Sequence, residues 1–238
     1  VLRALASQLN LQTLDVTGQS LEQRLQEDSS KQADQGVIRT LQDPVDSQGG
    51  LIALYGTLAP GGAILKRAAA TPALLEHEGR AVVFSFLEDL AARIDSPDLD
   101  VEAEDILVLQ NAGPRSPSGM PEAGYLPIPK KLAKAGVKDM VRISDARMSG
   151  TAFGTIVLHV TPEADLGGPL ALVQNGDRIR LSASAKTIDL LVTPGELERR
   201  RSALLPSSTP PARGYRKLYH DTILPAPKGC DFDFLVPK

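Results

Sequence analysis

Cysteine occurs once in this sequence, as Cys230, and tryptophan not at all. A lone cysteine excludes an internal disulfide framework and any metal site built from four cysteines of the same chain. Aromatic residues make up only 4%, so leucine, isoleucine, valine and alanine must fill the core. A basic excess is missing too. The net charge is -3 and the isoelectric point lies near 5.7, which leaves no electrostatic footprint for nucleic acid. Long apolar runs are absent, and a stretch such as Thr155–Val160 is far too short to cross a bilayer. The chain begins with Val1 rather than Met, and no basic-then-apolar targeting segment follows. The expectation is a cytoplasmic protein with no nucleic-acid or membrane partner, and a fragment or processed product of something longer.

What is present is the ordinary balance of a globular chain: 238 residues, 42% hydrophobic and 23% charged. Val1, Leu2, Leu5 and Leu9 fall at helical spacing, and Thr17–Ser20 is a turn before a short amphipathic helix, Leu21–Leu25. Apolar runs bounded by turn residues predict strands at Leu51–Tyr55, Ala81–Phe84, Asp105–Leu109, Met140–Ile143, Thr155–Val160, Leu170–Val173, Arg178–Leu181 and Thr187–Val192. Short helices are predicted at Leu87–Ile94 and Pro129–Ala135, the latter with Lys130, Lys131 and Lys134 on a solvated face. Thr193, Pro194 and Glu196 open a further helix as cap, first-turn proline and capping-box acid. The pattern is α/β (mixed): a β-barrel-like or sandwich domain of about eight short strands flanked by helices. Residues 1–205 read as that domain, with 1–50 partly linker and helical lead-in, and the proline-rich 206–238 as a tail that wraps the surface.

Three clusters place glycines and polar residues at strand ends. In Leu58–Lys66 the pair Gly61-Gly62 could offer N–H groups to an anion, but the spacing is not that of a P-loop, and a plain turn fits better. In Asn111–Glu122, a long loop after a strand, Glu122 is either a helix-start acid or a ligand for a hard cation such as Mg2+. In Ser144–Thr151 a serine could act as nucleophile or base, yet no Gly-x-Ser-x-Gly elbow is present and no neighbouring histidine activates it. His159 lies on an apolar strand and reads as a core histidine; His77 and His220 read as surface residues.

Together the segments Gly56-Thr57-Leu58-Ala59-Pro60-Gly61-Gly62-Ala63, Asn111-Ala112-Gly113-Pro114, Gly119-Met120-Pro121-Glu122, Ile143–Thr151, His159–Ala164, Gly167-Gly168-Pro169 and Leu190-Leu191-Val192 resemble the carboxy-terminal, swivelling domain of the dihydroxy-acid and sugar-acid dehydratase family. Ala146–Thr151, Pro127–Lys131 and Gly229–Leu235 resemble its pentonate and hexonate branch. The resemblance implies a hydro-lyase that converts an aldonate, a 2,3-dihydroxy acid, to a 2-keto-3-deoxy acid with Mg2+ and a [2Fe-2S] cluster. It assigns Ser149 as the catalytic base, Glu122 as an Mg2+ ligand and Thr151 as a substrate-binding neighbour. It also implies partners: a sugar acid, an amino-terminal cluster-binding domain of the same enzyme, and further copies of the chain in a dimer or tetramer. The cluster ligands belong to that amino-terminal domain, and Cys230 alone cannot hold a cluster needing about four. Ser149 and Glu122 are then half of an active site. Two alternatives remain: a branched-chain dihydroxy-acid dehydratase, and a non-catalytic binding module of the same fold. Loss of a partner domain would leave an exposed apolar interface.

Overall fold

The structure is a computed structural model, and it describes residues 1–27, 36–122, 126–147, 149, 153–205 and 209–236. It divides into two compact units, Val1–Gly49 and Gly50–Lys238. In the first, a 3-10 helix at Leu2–Gln8 precedes helix α1 at Leu21–Glu27, and neither buries a residue. A turn joins them, held by Asp15, whose Oδ2 accepts from Arg24 Nη1 at 2.8 Å.

The second unit carries the sheet. Eight strands run β1 (Ile52–Leu54), β2 (Gly62–Leu65), β3 (Glu76–Phe84), β4 (Ile106–Leu109), β5 (Arg142–Ser144), β6 (Ile156–Thr161), β7 (Arg178–Ser182) and β8 (Thr187–Leu190). Their order in the sheet is β1-β2-β6-β5-β4-β3-β7-β8. The middle four, β3 to β6, pair in parallel, and the flanking pairs are antiparallel. A bridge between Tyr55 and Thr187 joins the two outer edges, so the sheet curls into a nearly closed barrel.

The side-chain period of two sorts the residues between two cores. Ala81 and Val83 of β3, Ile106 and Val108 of β4, and Ile143 of β5 point into the barrel. Val82, Phe84, Leu107 and Leu109 point outward, onto helix α2 (Leu87–Arg93) and the segment that follows it. Leu132 of α3 (Lys130–Lys134) packs at the edge of that outer core. Full burial of a leucine or phenylalanine contributes roughly 1.5–3 kcal/mol, so both faces of the parallel strands must be apolar, as they are. Lys130, Lys131 and Lys134 are exposed, as the sequence predicts.

Three elements differ from the sequence-based expectation. Leu170–Val173 is not a strand: Pro169–Leu172 forms a 3-10 helix with Pro169, Leu170 and Leu172 buried. Pro169 has no N–H for a ladder, and Gln110 Nε2 donates to the Leu170 carbonyl at 2.7 Å and to that of Val173 at 3.0 Å. Residues Ala63–Leu65, within the Leu58–Lys66 cluster, belong to strand β2. The segment after residue 208 contains helix α5 (Gly214–Thr222) and a bridge between Ile223 and Phe232. Helix α4 (Pro194–Ser202) starts as expected, with Glu196 N–H donating to Thr193 Oγ1 at 3.4 Å.

Candidate active site

Parallel strands send their carboxyl ends to one edge of a sheet, and α/β folds bind ligands at that edge. Here β4 ends at Leu109 and opens the loop leading to Glu122; β5 ends at Ser144 and opens the bend leading to Ser149; β6 ends at Thr161, two residues before Glu163. The predicted loop and the predicted bend therefore leave neighbouring strands on the same side. They meet in an ion pair: Arg147 Nη1 donates to Glu122 Oε1 at 2.7 Å, both side chains half exposed. Ser149 is half-buried two residues beyond Arg147. Thr151 lies outside the described residues. The other serine of the bend, Ser144, is fully buried and its Oγ accepts from Ala146 N–H at 3.0 Å, so it shapes the bend.

Beneath the bend and the loop lie two carboxyls that the sequence reading did not single out. Asp145 is 1% exposed and Glu163 2%. Asp145 Oδ1 accepts from Ala112 N–H at 3.0 Å and its Oδ2 from Ala164 N–H at 2.9 Å. Burial pushes Asp145 up to about 6, against the pull of those backbone donors. Glu163 Oε2 accepts from Arg115 N–H at 2.9 Å, while Oε1 is buried without a hydrogen-bond partner. Burial, aided by Asp145 and Asp165, pushes Glu163 up to about 7. Neither Ser144-Asp145-Ala146 nor Pro162-Glu163-Ala164 carries a local signal that marks its acid as buried.

Two clefts border this edge. One of about 360 Å3 lies between Arg115–Gly119 and α5, with Arg216, Tyr219 and His220 on its helical wall. The other, about 290 Å3, is lined by Tyr55, Gly61, Gly62, His159 and Thr161. His159 is half-buried beside it rather than enclosed in the core; burial, then the charge of Arg147, lowers its pKa and keeps the ring neutral. The Gly61 and Gly62 amides donate to the carbonyls of Thr161 (2.8 Å) and Ala59 (3.0 Å). Both N–H groups are thereby spent, that of Gly62 in a turn and that of Gly61 on the end of β6. His77 is half-buried, with Nε2 2.9 Å from the Glu104 carbonyl, and His220 is half-buried against Asp221.

For a metal, the chain's contribution is small. Among the described residues no group of three His, Cys, Asp or Glu side chains is placed to hold an ion. Glu122 fits Mg2+ as one oxygen donor. A [2Fe-2S] cluster does not fit: the single thiol, Cys230, sits 3.3 Å from Met120 Sδ, and burial followed by Glu163 pushes it up, away from thiolate.

An α/β barrel thus gathers an Arg–Glu pair and a serine bend over two buried acids. The chain belongs to the dihydroxy-acid and sugar-acid dehydratase family: the family described as "Dihydroxy-acid/6-phosphogluconate dehydratase C-terminal" matches residues 36–230. It is 50% identical over 233 residues to the L-arabonate dehydratase of Azospirillum brasilense, covering 95% of this chain and 40% of that protein. It is 47% identical to the 6-deoxy-6-sulfo-D-gluconate dehydratase of Pseudomonas putida, covering 99% of this chain and 41% of the other. With the dihydroxy-acid dehydratase of Methanothrix thermoacetophila the identity is 38%, over 96% of this chain and 42% of that one. The chain thus spans about two fifths of the length of these relatives.

Proposed function

We propose that this domain supplies the base and one metal ligand for dehydration of an aldonate to a 2-keto-3-deoxy acid, acting with an amino-terminal domain that holds the rest of the site. The observation that carries the reading is the Arg147–Glu122 ion pair, which ties the serine bend to the glutamate loop at the carboxyl edge of the parallel strands. Ser149, ionised, takes the proton from C2 and returns it to the departing C3 hydroxyl, which leaves as water with Ser149 ionised again, and the enol tautomerises to the 2-keto acid. Arg147 stands two residues before Ser149 on the same bend, and its charge is paired with Glu122. Glu122 offers a carboxylate oxygen to Mg2+, and that ion would acidify C2–H by polarising the substrate carboxylate and hydroxyl. The cluster expected to assist departure of the C3 hydroxyl has no ligands in this chain and would belong to the amino-terminal domain. Identities of 47% and 50% to relatives named for sugar acids, against 38% and 44% to dihydroxy-acid dehydratases, favour pentonates and hexonates as substrates.

The test is to combine the chain with its amino-terminal half and assay aldonates for 2-keto-3-deoxy acid. Ser149→Ala should lower kcat by about a thousandfold or more with KM little changed. Turnover surviving within tenfold would remove the base. Preference for 2,3-dihydroxyisovalerate over pentonates would shift the reading to the branched-chain enzymes.

A further inference from the structure

Glu122 and Ser149 sit on two separate irregular segments, and such segments hold a geometry only if something beneath them is rigid. The contacts below them are specific. Asp145 opens the serine bend, yet its two oxygens are spent on other segments: Ala112 at the root of the glutamate loop and Ala164 after β6. Ala164 directly follows Glu163, whose Oε2 takes another amide of the same loop, Arg115 N–H. Gly113 lies between those two anchor points, and a Cβ there would stand 2.2 Å from Glu163 Oε2. The loop backbone is thus pressed onto the carboxyl with no space for a side chain.

We propose that Asp145 and Glu163 act as a pair of buried positioning residues that hang the Glu122 loop from the Ser149 bend, and so set the spacing of the two groups assigned to catalysis. The proposal rests on the assignment of Ser149 and Glu122 made above. The ion pair Arg147–Glu122 closes the outer end of the same arrangement; the two carboxyls close its inner end. Their surroundings explain why acids serve here. Each supplies acceptor oxygens for backbone N–H groups; burial leaves Glu163, at about 7, partly protonated at neutrality, while Asp145, at about 6, is mostly carboxylate and accepts on both oxygens. The charged and titratable groups facing Glu163 are Asp145, Asp165 and Arg115, with Tyr219 and Cys230 feeling its charge from the far side; Asp165 also faces Asp145.

The test uses Glu163→Gln, Glu163→Ala and Asp145→Asn, each in the chain joined by its amino-terminal half. Glutamine keeps an acceptor for Arg115 N–H, so kcat should stay within about threefold of wild type. Alanine removes the acceptor, and kcat should fall tenfold or more while KM changes less than threefold. Asp145→Asn turns an amide NH2 toward one of two N–H donors and should resemble the alanine variant. Amide hydrogen exchange in the chain alone is the second readout. In Glu163→Ala, Arg115 should exchange at least tenfold faster while Val108 and Ile143 in the barrel stay protected; should that variant fail to fold, Asp145→Asn, read at Ala112 and Ala164, decides. Glu163→Ala or Asp145→Asn with kcat within twofold of wild type, or unchanged exchange at the anchored amides, overturns the proposal. If the wild-type protein dehydrates no aldonate, the functional assignment falls, and exchange still reads whether the pair anchors the loop.

Discussion

Asp139 shows how a single buried side chain holds a functional segment in place. It and Arg142 form an ion pair at 2.8 Å with side chains 4% and 3% exposed. Burial alone would raise the Asp139 pKa; Thr155, through its N–H and hydroxyl, then Thr71 and Arg142 outweigh it and hold the carboxyl below its usual value; Thr71 N–H also donates to Oδ2 at 3.3 Å. Those donors tie together the segment after β2, the root of β5 and the end of the loop returning from Ser149. Asp139→Ala removes all of these acceptors at once. Breaking a buried pair in this way costs about 3–5 kcal/mol, and the denaturant midpoint should fall accordingly with an unchanged slope. A loss under about 1 kcal/mol would show that the network is not coupled. Residue chemistry of this kind was only partly legible in the sequence. Glycines and polar residues at strand ends marked the segments that hold Ser149 and Glu122, and the family resemblance assigned the two residues their roles. Asp139, Asp145 and Glu163 did not stand out, because an acid buried by segments distant in the chain looks the same in sequence as an acid on the surface.

At the scale of elements, the barrel depends on a seam that no periodicity announces. Gly56 has φ +150°, and a Cβ there would stand 2.2 Å from the Ile188 carbonyl oxygen. Beyond it, Thr57 N–H donates to Asp189 Oδ1 at 2.9 Å, and Leu190 N–H donates to Thr57 Oγ1 at 2.9 Å. Gly56→Ala should therefore open the β1–β8 closure, at a cost on the order of 3 kcal/mol from strain and overlap. Faster amide exchange at Tyr55 and Ile188, with protection retained in β4 and β5, is the expected signature; equal protection throughout would place closure elsewhere. Sequence reading located strands buried on both faces, such as β4, from their apolar runs, and the half-buried β7 and β8 from apolar residues bounded by turns. It missed the polar half of β3, Glu76–Arg80, because those residues are held by pairing with β7 and by Glu78 bridging Arg178 and Arg180. It misread Leu170–Val173 because apolarity marks burial without specifying the backbone that achieves it.

For the molecule as a whole, the buried acids and the exposed ion pairs respond to pH in opposite directions. Asp145 at about 6 and Glu163 at about 7 bind protons more tightly in the folded chain than in the unfolded one, where carboxyls titrate near about 4. Their effect on stability is therefore most favourable below about pH 4 and is lost as pH rises through 6 and 7. Glu196, held down to about 2 by hydrogen bonds from Arg199 and then Arg200, and Asp89, held down chiefly by Arg93, act the other way. Their contribution is present above about pH 4 and fades as the medium becomes more acidic. The two tendencies place maximum stability on the mildly acidic side, near about pH 5. Moving from pH 8 to 5.5 relieves most of the charge at Glu163 and part of that at Asp145, about 3 kcal/mol in all. At roughly 2–4 °C per kcal/mol for a chain of this size, the melting temperature should rise by about 6–12 °C. Glutamine at position 163 cannot ionise, so Glu163→Gln should lose most of that rise, and its advantage over wild type should shrink from pH 8 to 5.5. Thermal melts of both proteins at the two pH values decide it: a wild-type curve that does not move, or a variant that moves as far, would mean that these carboxyls are solvated and that burial does not govern their protons.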